Sequence, residues 1–152
     1  MNNSTKNAEI IKSVLDKKGV TAFAPYGNSM WPFIKNHASP VIIERNGKIA
    51  LYSVVLFERN DGSLILHRVI GTGEDYLVCG DSILTPEKVN KSQILGVMTG
   101  FYKGKKLVSA NDEKYLKKVK KWYERKGLRK FRIRIFYRTL RLKKLFKGKK
   151  NV

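Results

Sequence analysis

The chain has 152 residues, with 32 Lys and Arg against 12 Asp and Glu and a formal net charge of +20. That length fits one domain and a short appendage, and 42% hydrophobic residues supply one modest core. A single cysteine, Cys79, excludes an internal disulfide, while the charge favours nucleic acid, anionic lipid or acidic peptides as partners and says nothing about fold.

The N-terminal seven residues are polar and lack the apolar segment of a secretory signal. No run reaches the roughly 18 apolar residues that span a bilayer. The expected location is therefore cytoplasmic, peripheral at the inner membrane face if something tethers the chain. Residues 8–18 predict a helix, with Ile10, Ile11, Val14 and Leu15 on one face and Gly19 as its stop. Residues 20–24 predict a short strand leading to Pro25.

Next comes Gly27-Asn28-Ser29-Met30-Trp31-Pro32-Phe33-Ile34. Gly27 permits a tight turn, and Pro32 suits the first turn of a helix. A serine at such a junction presents its hydroxyl outward, as a nucleophile would; Ser and Asn are also ordinary turn residues. Residues 41–44 predict a strand and Asn46-Gly47 a hairpin-type turn. Residues 54–58 and 64–70 predict two strands joined at Asn60-Asp61-Gly62, the second carrying His67. Tyr76 to Cys79 is a further strand, running into Gly80-Asp81-Ser82, with Cys79 read as a buried small hydrophobe. Residues 94–102 and 107–108 close the domain. His37, in a polar stretch, is read as solvent-exposed.

These short strands and glycine-rich turns predict a mainly β, α+β domain: a small antiparallel β domain over residues 1–110 with an N-terminal helix. Residues 111–152 predict a basic α-helical extension. Leu116, Val119, Trp122 and Tyr123 keep helical spacing, Gly127 breaks or kinks the run, and Leu128, Phe131, Ile135, Phe136 and Leu140 follow. Arg132-Ile133-Arg134-Ile135 alternates, which leaves a strand open there, and residues 147–152 are read as frayed. No Cys/His cluster has metal-ligand spacing and no phosphate-cradling glycine loop is present, so no metal or cofactor is expected.

Three boxes carry chemistry: Gly27-x-Ser29-Met30-x-Pro32, then His67-Arg68-Val69, then Gly80-Asp81-Ser82, followed by Ile94-Leu95-Gly96. In this order they resemble the S24/S26 serine peptidases, most of all the signal peptidases with a Ser/His pair. The resemblance covers roughly residues 22–101. It implies a signal-peptidase-like β fold, Ser29 as nucleophile, His67 as general base, and a small-residue pocket before the cut. Two acids are candidates for orienting the imidazole: Asp81 in the matched Gly-Asp box, which is preferred, and Glu87, near where some relatives carry a second acid. Departures are Ala38-Ser39 and Tyr52-Ser53 where Gly-Asp pairs are usual, Ser82 in place of Asn, and Gly27 where some relatives have an oxyanion-assisting hydroxyl. The Ser29 backbone N–H is then the main oxyanion donor.

The leading expectation is a serine endopeptidase acting on a peptide precursor or leader. The alternative is a catalytically inactive peptidase-like module that binds an anionic membrane, or less readily nucleic acid, through residues 112–150.

Overall fold

The computed structural model describes residues 3–148; residues 1–2 and 149–152, which include most of the expected frayed end, lie outside the described residues. The chain falls into two compact units, Met1–Lys117 and Lys118–Val152. In the first, helix α1 (Asn3–Lys18) precedes the strands β1 (Val20–Phe23), β2 (Val41–Glu44), β3 (Val54–Glu58), β4 (Leu64–Gly71), β5 (Tyr76–Cys79), β6 (Glu87–Val89), β7 (Ile94–Lys103) and β8 (Lys106–Ser109). All pairings are antiparallel, in the order β1-β2-β7-β3-β4-β5-β6, with β8 also on β7. The expected α+β class, a mainly antiparallel sheet with an N-terminal helix and a helical C-terminal region, is what the chain forms.

Local sequence explains the elements. α1 ends where Gly19 takes φ +72 and returns its N–H to the Leu15 carbonyl at 2.9 Å. Leu15 is buried, and Lys12 reaches the Glu58 carboxylate of β3 at 2.7 Å. One sheet face packs Val55, Phe57, Val69, Val78, Val89 and Val97 into a core. Each such side chain contributes about 1.5–3 kcal/mol through burial. Strand alternation puts Ile65, His67 and Val69 on this face of β4 and Leu66 and Arg68 on the other.

Several expectations change. Asn46-Gly47 does not close a hairpin, because β2 pairs with β1 and β7 rather than with β3. Gly47 serves a close approach instead: a Cβ there would stand 2.1 Å from Val97 Cγ1. Pro32 starts no helix; the chain around it forms consecutive turns, with the Ile34 N–H on the Met30 carbonyl at 3.0 Å. β6 was not anticipated, since three residues are too few to show a period. α1 starts earlier than its apolar periodicity shows, in the polar stretch before Ala8.

The last elements are the helices α2 (Glu113–Glu124) and α3 (Lys126–Gly148). The expected boundary at residue 110 moves later because Tyr115, in the first turn of α2, is buried in the first unit. Its ring lies 5.1 Å from Phe101 and 5.8 Å from Phe33. The helical run breaks at Arg125 rather than Gly127, which sits inside α3. Residues 132–135 are helical, so the alternative strand does not form. In the second unit the Arg129 guanidinium stands 4.6 Å from the Tyr123 ring centroid.

Candidate active site

Ser29 sits half-buried on the loop between β1 and β2. Its neighbours fix the loop. Met30 and Ile34 are buried anchors, and Gly27, at φ +96, donates its N–H to Asn36 Oδ1 at 2.9 Å. The turn after β5 grips the loop from the other side. The Ser82 N–H donates to the Ser29 carbonyl at 2.8 Å, and the Ser82 hydroxyl to the Asn28 carbonyl at 2.7 Å. Ser82 is thus a clamp on the Ser29 main chain.

His67 lies mid-strand in β4, 7% exposed, with its ring 6.0 Å from that of Phe57. Glu87, at the start of β6, brings Oε1 within 3.0 Å of His67 Nδ1. Nδ1 has no well-aligned hydrogen-bond partner, so the contact is a close approach rather than a straight N–H···O bond. Glu87 is itself forked by Arg59, with Nη2 to Oε1 at 2.7 Å and Nε to Oε2 at 3.1 Å. Burial is the main force lowering the His67 pKa and Arg59 adds to it, while Glu87 opposes both without cancelling them. The imidazole is therefore held neutral to lower pH than usual. Partial burial disfavours ionisation of Glu87, but the hydrogen bonds and charges of Arg59 and His67 outweigh it and hold this carboxyl below its ordinary value. The Glu87 bond in turn raises the Arg59 pKa.

Asp81, preferred on sequence as the orienting acid, pairs with Arg68 rather than with His67. It is fully buried and bidentate to Arg68, with Nε to Oδ1 and Nη2 to Oδ2 both at 2.7 Å. Arg68 also reaches the Tyr52 carbonyl at 2.8 Å and the Tyr115 hydroxyl at 2.9 Å. Its guanidinium lies 5.5 Å from the Phe33 ring centroid and 5.6 Å from that of Tyr115. The reason is strand alternation: Arg68 and His67 are adjacent on β4, so they face opposite ways. Asp81 reaches His67 through its field alone, as a small effect raising the imidazole pKa.

The Ser29 main-chain carbonyl and His67 Nε2 both approach Gly80. A Cβ on Gly80 would stand 2.8 Å from the Ser29 carbonyl oxygen and 3.1 Å from His67 Nε2. The missing side chain is the space in which the serine loop and the imidazole come together. Ser29, His67 and Glu87 line one groove, together with Phe23 of β1, Ile11 and Val14 of α1, and Leu64. β1 is the end strand of the sheet, paired on one side with β2. His37 is exposed and stacks edge-on to Tyr26, with ring centroids 5.2 Å apart. Cys79 is buried, with Sγ 3.1 Å from the Ile83 carbonyl oxygen. Among the described residues no group of three or more His, Cys, Asp or Glu converges as metal ligands, and no helix is long and apolar enough to cross a membrane.

Sequence reading missed Arg59, which holds the acid, and the roles of Gly80 and Ser82. No family model matches the chain, and no curated protein matches it.

Proposed function

We propose that the protein is a serine endopeptidase in which Ser29 is the nucleophile, His67 the general base and Glu87 the acid beside it. The observation that carries this reading is the convergence at Gly80: the Ser29 loop and His67 Nε2 approach one point while Glu87 stands at Nδ1. A serine hydroxyl needs a base within reach to attack a carbonyl. His67 is held neutral by burial, so Nε2 can accept the Ser29 proton. As Ser29 Oγ bonds to the scissile carbonyl carbon, the negative charge moves to the carbonyl oxygen, near the Ser29 N–H. The imidazolium then forms beside the Glu87 carboxylate. It returns the proton to the leaving amine as the C–N bond breaks, and water hydrolyses the acyl-enzyme by the same path.

The substrate class is a peptide precursor or leader bound extended along β1, where main-chain pairing supplies affinity and the groove selects side chains. The resemblance carried by the three boxes adds a preference for small residues just before the cut. No metal or cofactor enters this scheme. The test is a fluorophosphonate probe followed by peptide mapping. Label on Ser29 in the wild type, and loss of both label and peptide cleavage in Ser29→Ala with unchanged circular dichroism, is the expected outcome. Equal turnover by wild type and Ser29→Ala overturns the reading.

A further inference from the structure

The first unit and the last 35 residues differ sharply in charge: residues 118–152 hold 16 Lys and Arg and one acid, Glu124. α3 carries most of them and has two apolar stripes. One is turned inward at Ile133, 4% exposed, with Phe136 and Leu140 half-buried beside it. The other is open: Leu128, Phe131, Ile135, Leu142 and Phe146 are 42–69% exposed. They recur at steps of three, four, seven and four, so they fall on one line along the helix. Thr139 occupies the gap between Ile135 and Leu142. Its hydroxyl is returned to the Ile135 carbonyl at 2.9 Å, which satisfies the polar group within the helix. Arg132 and Lys143 border the stripe on one side, and Arg134, Arg138 and Arg141 on the other.

We infer that the open stripe of α3 is a docking surface for an anionic bilayer, with the helix lying in the plane of the interface. An apolar line a few side chains wide with basic residues along both margins is the arrangement of an in-plane helix. The line enters the acyl boundary while Arg and Lys reach outward to headgroup phosphates. The charges forbid a spanning orientation, consistent with the absence of any membrane-crossing helix among the described residues. A second copy of the chain is a poor occupant, because both margins are basic and like charges would face each other across the seam. Nucleic acid would engage the basic margins but gives no role to five exposed apolar residues on one line. The surface stands independently of the peptidase reading.

The test is flotation of the full chain with phosphatidylglycerol-rich vesicles and with vesicles of phosphatidylcholine alone. Binding to the first and not the second is expected. Phe131→Ser with Ile135→Ser should weaken it by at least about ten-fold, and Arg134→Gln with Arg138→Gln by about five-fold for each charge removed. A reporter tryptophan at Phe131 should be quenched by brominated lipid, and one at Lys130 should not. Circular dichroism reads folding of the variants separately; a variant that loses helicity is replaced by Leu142→Ser. No flotation at low salt overturns the proposal. Flotation unaffected by the serine variants reduces it to charge adsorption and overturns insertion. Release of bound protein by equimolar duplex RNA overturns lipid as the partner.

Discussion

Two neighbours on β4 show how burial separates structure from chemistry. His67 and Arg68 each face a carboxylate, one strand face apart. The Arg68–Asp81 pair has no exposed surface on either side chain, whereas Glu87 is 31% exposed and His67 9%. The sealed pair is fully ionic and bidentate; with its charges satisfied, it exchanges nothing with solvent or substrate. The half-open pair lines the groove and shares its carboxylate between a guanidinium and a neutral imidazole, so a proton can come and go. A buried ion pair fixes geometry, and a pair at the edge of the core can titrate.

The largest effect should come from the sealed pair. Asp81→Asn leaves the Arg68 charge buried with a weakened partner and should destabilise the fold by about 3–5 kcal/mol, read from the denaturant midpoint. Stability unchanged by this substitution would remove the distinction between the two pairs. Glu87→Gln should do the opposite. The denaturant midpoint should move by less than about 1 kcal/mol, as for a partly exposed pair. Turnover should fall by about 10²–10⁴-fold, because the imidazolium loses its counter-charge. If Asp81→Asn kills turnover at full stability while Glu87→Gln does not, the acid is Asp81 after all.

A smaller effect concerns pH. On the proposed mechanism turnover requires neutral His67, and burial with Arg59 lowers its pKa, so the acid limb of kcat/KM should lie below the ordinary imidazole value of 6.5. Arg59→Met removes a cation that lowers this pKa, so the limb should shift to higher pH, with kcat changing by less than about ten-fold. An unmoved limb would show that burial alone sets the imidazole. Linkage runs the same way. The contribution of a neutral, buried His67 to stability is complete above the unfolded value and is lost as pH falls through the lowered folded value.

Much of this was legible in the chain. Alternation and turns located most strands of the sheet, and the first two boxes supplied Ser29 and His67, which line one groove. The box points to Asp81 as the acid, yet Asp81 pairs with Arg68, and one rule argues for that pairing. If His67 points to one face of the sheet, Arg68 must point to the other, and an arginine buried there requires a buried acid. Glu87 was harder to rank, because β6 is three residues long and only its pairing with β5 brings Glu87 back beside β4. Asn46-Gly47 failed for a different reason. A turn signal reports local chain direction, whereas the partner of β2 is β7, far along the sequence, and is chosen by the sheet.

The Ser82 clamp has a consequence in time. A ribosome delivers Asn28 and Ser29 well before the turn that holds them; the Ser82 hydroxyl bonds a carbonyl 54 positions earlier. Until β5 and that turn have emerged and folded, the serine loop lacks its fastening and His67 lacks Glu87. Until then the nascent chain carries the proposed nucleophile unassembled, and any activity it has arrives only after the sheet that holds the loop.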